Sequence, residues 1–431
     1  MKTVKKCVFF FLALFLFTTF AYAAAAPEIL ANAAVVVEPS SGEILYEKNA
    51  HEKTYPASTT KMMTGLIAME KGKLDDVVTV SASALHGLEE MGSGTNLRVG
   101  ETYTLHDLLY LLLLPSDNDA ANVIAEHIAG SQDAFVEMMN ERAQQIGMKD
   151  THFSNVHGLH DENHYTTAYD MSLLAREALK NSLFAEIAKT PRAVINGEEI
   201  LTTNHLISRF KDPNYYYSYA IGIKTGFTTP AGHCLVSAAE KNGSRYVCVV
   251  MNSPQDKSTG KIGSFTDTKA LFEWAFSNFE EKTLLSKSTP VQEVPVRLAQ
   301  NKDYLVLTPE ADLKAIVPKD LDPKSLTFDY EVQESITAPV KKGEALGKVT
   351  VSSGDKTYGT LNLIALNDVE RSTFLYVLDR IKSFFNSLPF RIVLIVLVAL
   401  FILLLVIRTI NKRRRRYRNQ RMRYGGGFRR R

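Results

Sequence analysis

Cysteine is almost absent, with three in 431 residues, so a disulfide-stapled scaffold is excluded. Cys7 lies in a leader-like N-terminus, which leaves Cys234 and Cys248. They sit in "HCLVSAAE" and "SRYVCVVMN", two runs that read as a hairpin around Asn242-Gly243. A bond in an oxidising medium and two small buried hydrophobes are both open, the second being favoured. Acidic residues are missing at both ends of the chain. The first 26 residues hold three Lys and no acid, and residues 408–431 hold twelve Lys or Arg and no acid. Those ends carry fifteen of the 50 basic residues, so the middle sets 35 bases against 47 acids, a net of −12 beneath a whole-chain charge of +3. No nucleic-acid partner is expected for such a middle. No internal repeat is present, and the basic tail is the one low-complexity tract. No His-Glu-x-x-His occurs either. His152, His157, His160 and His164 fall within thirteen residues beside Asp161 and Glu162, which keeps an extracellular zinc site only as a minor alternative. No metal and no cofactor is expected.

What is present at the ends is membrane chemistry. Lys2, Lys5 and Lys6 precede an apolar run at residues 8–17, and small residues follow at 23–26. That order is a secretory signal peptide, assigned to residues 1–26. Residues 392–407 form an uninterrupted apolar run, extended by Leu388, Pro389, Phe390 and Ile410 into a transmembrane helix over 388–410. The tail "NKRRRRYRNQRMR", within 411–431, places that end in the cytoplasm by the positive-inside rule. Everything between signal and span is then extracytoplasmic, on a single-pass anchor in the cell membrane.

The apolar fraction of 45% and charged fraction of 23% are those of a globular chain, and the length suits two or three units. "AAVVVEPSSGEILYEKN" is strand, turn, strand. Helical periodicity starts at Ser58, with Met62, Met63, Leu66, Ile67 and Met69 on one face, and stops at Gly72. "TLHDLLYLLLLPSDNDAANVIAEHIAG" reads as two helices broken at Pro115, and two more helices follow. Three strands come next, "AIGIKTGF", "CLVSAAE" and "RYVCVVMN", and then the helix "SFTDTKALFEWAFSNF". The fold class is α+β over residues 27–280, an antiparallel sheet closed by its first and last segments around a helical middle. Short alternating runs make 286–366 a small all-β domain, and 367–387 an amphipathic juxtamembrane helix.

Ser-x-x-Lys occurs four times, at Ser58 with Lys61, Ser208 with Lys211, Ser258 with Lys261 and Ser353 with Lys356. Only Ser58 opens a helix with a strong apolar face, where positions i and i+3 meet. A Ser hydroxyl needs a base to become a nucleophile, and a buried Lys near another cation serves. Lys224, followed by Thr225 and Gly226 on a strand, supplies that cation, and Gly226 leaves room for a substrate backbone to lie alongside. Ser116-Asp117-Asn118 follows Pro115 at the helix break. Alone, each group has a bland reading as a cap or a strand end.

Together, in this order, they resemble the penicillin-binding D-alanyl-D-alanine carboxypeptidases, serine peptidases with a β-lactamase/transpeptidase-like fold. The flanks "PASTTKMMT", "LLLPSDNDAANVIAEHIAG", "GIKTGFTTPAGHCLVSAAE" and "APVKKGEALG" carry the resemblance from about residue 33 to 366. It implies Ser58 as nucleophile, Lys61 as base and Ser116 as proton relay. It implies Asn118 and Gly226 along the peptide backbone, Lys224 as electrostatic aid and Thr225 at the terminal carboxylate. The N–H groups of Ser58 and Phe227 would form an oxyanion hole. The implied partners are a peptidoglycan stem peptide, β-lactams as inhibitors and the membrane, with the β domain as a stalk. Relatives commonly carry an Arg that contacts the substrate carboxylate where Ser264 stands, so either Lys257 or Lys261 substitutes for it or carboxylate recognition is weaker. The Glu-x-x-Leu-Asn phrase of class A β-lactamases is missing between residues 131 and 224, which argues against that activity. A penicillin-acylated wall sensor and a D,D-transpeptidase are the alternative functions.

Overall fold

The computed structural model describes residues 25–88 and 97–424. The expected signal peptide, except for its last two residues, and the final seven residues of the basic tail lie outside the described residues. The chain divides into two compact units, Met1–Lys282 with Ile316–Asp322, and Thr283–Ala315 with Pro323–Arg431.

The first unit is built on five antiparallel strands: β1 (Ala33–Val37), β2 (Ile44–Lys48), β3 (Ala220–Thr228), β4 (Gly232–Lys241) and β5 (Ser244–Ser253), in the order β2-β1-β5-β4-β3. The expected closure of the sheet by its first and last segments is therefore realised in the β1–β5 pair. Successive side chains of a strand face opposite ways, and here both faces are covered. Ala33, Val35, Val37, Val247, Val249 and Met251 join the core beneath the helical middle. Ala34, Val36, Tyr246, Cys248 and Val250 join a second core with Phe265, Leu271 and Phe272. Burial on both sides is why these strands read as continuous apolar runs.

Seven helices concern the argument: α1 (Lys61–Lys71), α2 (Leu105–Leu113), α3 (Asn118–Ala129), α4 (Gln132–Ile146), α5 (Ala168–Ala178), α6 (Ser182–Ala188) and α7 (Gly263–Asn278). α2 stops at Leu113, two residues before Pro115, and α3 is capped by the Asp117 carboxylate, which accepts from the N–H groups of Asp119 and Ala120 at 2.8 and 3.3 Å. The Ser58 segment departs from expectation. Residues Ala57–Thr60 form a 3₁₀ turn, and the α-helix begins only at Lys61.

The second unit carries β6 (Gln292–Arg297), β7 (Tyr304–Pro309), β8 (Thr327–Val332), β9 (Ile336–Thr337), β10 (Ala345–Ser353) and β11 (Lys356–Ala365), a six-stranded sheet in the order β8-β10-β11-β7-β6-β9. Helix α8 (Thr373–Asn386) follows, with Phe374, Ile381, Phe384 and Phe385 exposed. Helix α9 runs unbroken over Leu388–Tyr424, and no residue in the most apolar stretch of its span Leu388–Asn419 is buried inside the protein. One helix long and apolar enough to cross a membrane is thus present among the described residues.

Cys234 and Cys248 are both free and buried, in the cores on opposite sides of the sheet. Side chains on opposite faces cannot meet in a disulfide, and burial pushes the Cys234 thiol up to about 12 and the Cys248 thiol higher. Iodoacetamide should therefore leave both thiols unmodified in native buffer and modify both in denaturant without reductant, read by peptide mass. Protection that persisted in denaturant until a reductant was added would show a bond instead.

Candidate active site

The turn that presents Ser58 is held in an unfavourable backbone conformation. Ala57 has φ 47°, the left-handed region that L-residues other than Asn and Asp seldom adopt. A relay from the loop between α4 and α5 fixes it. The Ser154 N–H donates to His164 Nδ1 at 3.0 Å, so a neutral ring carries its proton on Nε2 and donates to Thr60 Oγ1 at 2.7 Å. Thr60 Oγ1 then donates to the Ala57 carbonyl at 2.8 Å. Gly158, at φ 92°, lies against the same carbonyl so closely that a Cβ there would stand 1.9 Å from its oxygen.

Lys61 is wholly buried one turn after Ser58. Its Nζ donates to Ser58 Oγ at 3.1 Å, to Asn118 Oδ1 at 2.5 Å and to the His157 carbonyl at 2.7 Å. Burial pushes its pKa down from 10.5 to about 7, against an opposing pull from the Asp117 carboxylate. Lys224, 1% exposed on β3, is pushed well below its ordinary value by burial and then by the charge of Lys61. The expected neighbouring cation is in place, but its repulsion registers on Lys224, and Lys61 owes its shift to burial.

Ser116 has φ 69°, and its buried Oγ has no hydrogen-bond partner among the described residues. With Ser58, Thr225, Gly226 and Phe227 it lines a cleft of about 260 Å³. Thr225 Oγ1 meets Thr203 Oγ1 at 2.5 Å, and the Lys224 Nζ donates to the Thr225 carbonyl at 3.1 Å. The exposed Phe227 ring rests on His233, with centroids 4.5 Å apart. Gly226 meets a constraint within the chain besides the one expected of it. A Cβ there would meet the Pro56 carbonyl at 2.9 Å and the Ser58 nitrogen at 3.1 Å. The glycine admits the Ser58 turn against β3, which brings the backbones carrying the Ser58 and Phe227 N–H groups together. Since β3 is an edge strand, the outer side of the sheet next to this cleft is unpaired within the sheet.

The other three Ser-x-x-Lys copies are turn chemistry. Ser208 Oγ accepts from the Phe210 N–H, Ser258 donates to Asp256, and Ser353 Oγ meets Ser325 Oγ. Lys257 and Lys261 are exposed and do not line the cleft, whereas Ser264 is buried and does. Thr203, His205 and Phe265 also line it, and sequence reasoning missed them. They carry no motif and come from a connector and the far sheet face. The clustered histidines hold the loop: His157 Nδ1 accepts from the Leu159 N–H and His152 Nδ1 meets the Asn163 carbonyl.

Comparison with known proteins decides the family. Residues 20–255 match the D-alanyl-D-alanine carboxypeptidase family, and 279–371 match the penicillin-binding protein 5 C-terminal domain. The chain belongs to the D-alanyl-D-alanine carboxypeptidase family. It is 32% identical over 358 residues to D-alanyl-D-alanine carboxypeptidase DacF of Bacillus subtilis, covering 81% of this chain and 88% of that one. Among solved structures, penicillin-binding protein 5 of Haemophilus influenzae shares 31% identity at a TM-score of 0.65, over 80% of this chain and 99% of that one. A mutant of a Streptomyces DD-transpeptidase shares 30% identity at a TM-score of 0.52, over 58% of this chain and 99% of that one. In this member of the family the fold and the resemblance read from the motifs are both realised.

The buried histidines give the fold a pH dependence. Burial lowers His157 from 6.5 to about 3, with Lys61 next in effect, and lowers His164 from 6.5 to about 4, with Asp161 pulling the other way. Both rings are neutral in the folded chain, so their contribution is full above about 6.5 and is lost as pH falls toward 4 and 3, at roughly 1.4 kcal/mol per pH unit per group. His164→Gln should make the fall in urea-unfolding stability between about pH 4 and 6 shallower by one proton's worth. An unchanged slope would mean that the folded chain already holds this ring protonated.

Proposed function

We propose that the chain is a serine-type D-alanyl-D-alanine carboxypeptidase that removes the terminal D-alanine of peptidoglycan stem peptides through an acyl-enzyme on Ser58. The observation that carries this reading is the Lys61 amine, out of water and 3.1 Å from Ser58 Oγ. Neutral Lys61 takes the Ser58 proton as Oγ attacks the carbonyl of the penultimate D-alanine. The oxyanion is held by the N–H groups of Ser58 and Phe227, a type of donor typically worth about 10²–10³ in rate each. Ser116, which lines the same cleft, relays the proton to the departing amine, and the C–N bond breaks. Water then attacks the ester, returning the proton to Ser58. Asn118 positions the Lys61 amine and lies along the peptide path, Lys224 stabilises developing negative charge, and Thr225 takes part in carboxylate binding. The same Ser58 opens a β-lactam ring, giving an amide-cleaved ester that blocks the cleft.

Ser58→Ala should abolish both D-alanine release, followed by mass spectrometry, and covalent penicillin labelling, while Ser258→Ala leaves both intact. Labelling that survived in the Ser58 variant would sink the assignment. Because Lys61 must be neutral to act, acylation should climb as pH rises through about 7 and level above it. Lys61→Ala should slow it by roughly 10²–10⁴. The likeness to the Streptomyces DD-transpeptidase favours a second fate for the ester, attack by an amine. An added D-amino acid acceptor would then appear in the product in place of the released alanine.

Helix α9 anchors the enzyme in the cell membrane, with the catalytic unit outside and the basic end in the cytoplasm. Trypsin applied to intact protoplasts should remove the catalytic unit and spare an epitope placed after Arg431. Loss of the epitope with retention of the catalytic unit would reverse the orientation.

A further inference from the structure

The cleft contains a titratable side chain that the mechanism leaves unused. His205 lines it beside Thr203, Thr225 and Ser264. The ring is clamped, stacked on Phe265 with centroids 5.0 Å apart and 6° between planes, and flanked by Tyr215 at 5.7 Å. Yet its Nδ1 is buried with no hydrogen-bond partner among the described residues. That nitrogen is shut off from solvent, so a ligand group would meet the ring through the part of its edge that lines the cleft. A carboxypeptidase brings such a group, because its substrate ends in a free carboxylate. Selecting that end over an internal peptide bond takes a cation or a set of donors. No Arg lines the cleft among the described residues, and Lys224 lies buried in β3 with its Nζ on the Thr225 carbonyl.

We infer that His205 is the specificity-determining residue that receives the C-terminal carboxylate of the substrate, with the hydroxyls of Thr203, Thr225 and Ser264 as neighbouring donors. The inference rests on the carboxypeptidase reading and names the group that recognises the end of the peptide. The titratable groups that face the ring are Lys211, Asp212 and Tyr215. Burial lowers its pKa, Lys211 adds to that and Asp212 opposes it. The free enzyme then holds a neutral imidazole at pH 7, and an arriving carboxylate favours its protonation.

The test uses the full chain in detergent and two peptides, one ending in D-Ala-D-Ala and the other in its C-terminal amide. The measured quantity is the ratio of their kcat/KM values between about pH 5 and 8. Lys61 serves both substrates, so its titration cancels in the ratio. The wild type should favour the free acid, increasingly as pH falls. His205→Gln should lower the ratio roughly tenfold and flatten its pH dependence. His205→Arg should keep the preference without the pH dependence. Equal losses on both peptides in both variants would reduce His205 to a packing residue and overturn the inference, as would a His205→Gln ratio that tracks the wild type. A folded wild type that cleaves the terminal peptide bond of neither peptide, releasing neither alanine nor alaninamide, would overturn the carboxypeptidase reading itself.

Discussion

The catalytic unit depends on the burial of one amine. An amine removed from water must be given acceptors, or its burial costs several kcal/mol. Lys61 finds them in three parts of the chain: Ser58 in its own turn, Asn118 at the start of α3 and the His157 carbonyl in the loop before α5. Satisfying that amine fixes three distant segments against one another. The same burial brings its pKa to about 7, where a useful fraction is neutral, instead of the ordinary 10.5. Site geometry and base strength therefore have a common cause.

Close backbone approach completes the arrangement. Gly158 bears on the Ala57 carbonyl, and Gly226 bears on Pro56 and on the Ser58 nitrogen. A side chain at either position would displace the turn. Ala57 pays for its left-handed conformation with roughly 1–2 kcal/mol, and the relay from Ser154 through His164 and Thr60 holds it there. Of the histidines that suggested a metal cluster in the sequence, His164 fastens this turn, while His152 and His157 hold the loop it comes from.

Local pattern explains what was legible. The Asn242-Gly243 hairpin, the break at Pro115 and the apolar face after Ser58 are short-range features, and each is found where periodicity and turn chemistry put it. Long-range placement explains what was not. Nothing in "TTNHL" distinguishes it from a connector, yet the backbone N–H of Thr203 donates to the Leu114 carbonyl, and this ties the segment to the cleft wall. Strand alternation puts Lys224 and Gly226 on one face of β3, but what that face meets is decided by a turn more than 160 residues earlier. The 3₁₀ start at Ala57–Thr60 was likewise invisible, since periodicity registers the apolar face and is silent on which hydrogen bonds its first turn makes.

Two buried lysines side by side look unfavourable, and in the resting cleft they are, since burial and the charge of Lys61 both weigh against a charged Lys224. The proposed reaction changes that balance. When Ser58 gives its proton to Lys61, a cation appears together with an oxyanion, and the total charge in the cleft does not change. In a site shielded from water the attraction within such a pair is far stronger than in solution. Burial thus disfavours the lone ammonium of the resting state and favours the ammonium–oxyanion pair of the transition state. Binding that differs between those two states is what accelerates a reaction.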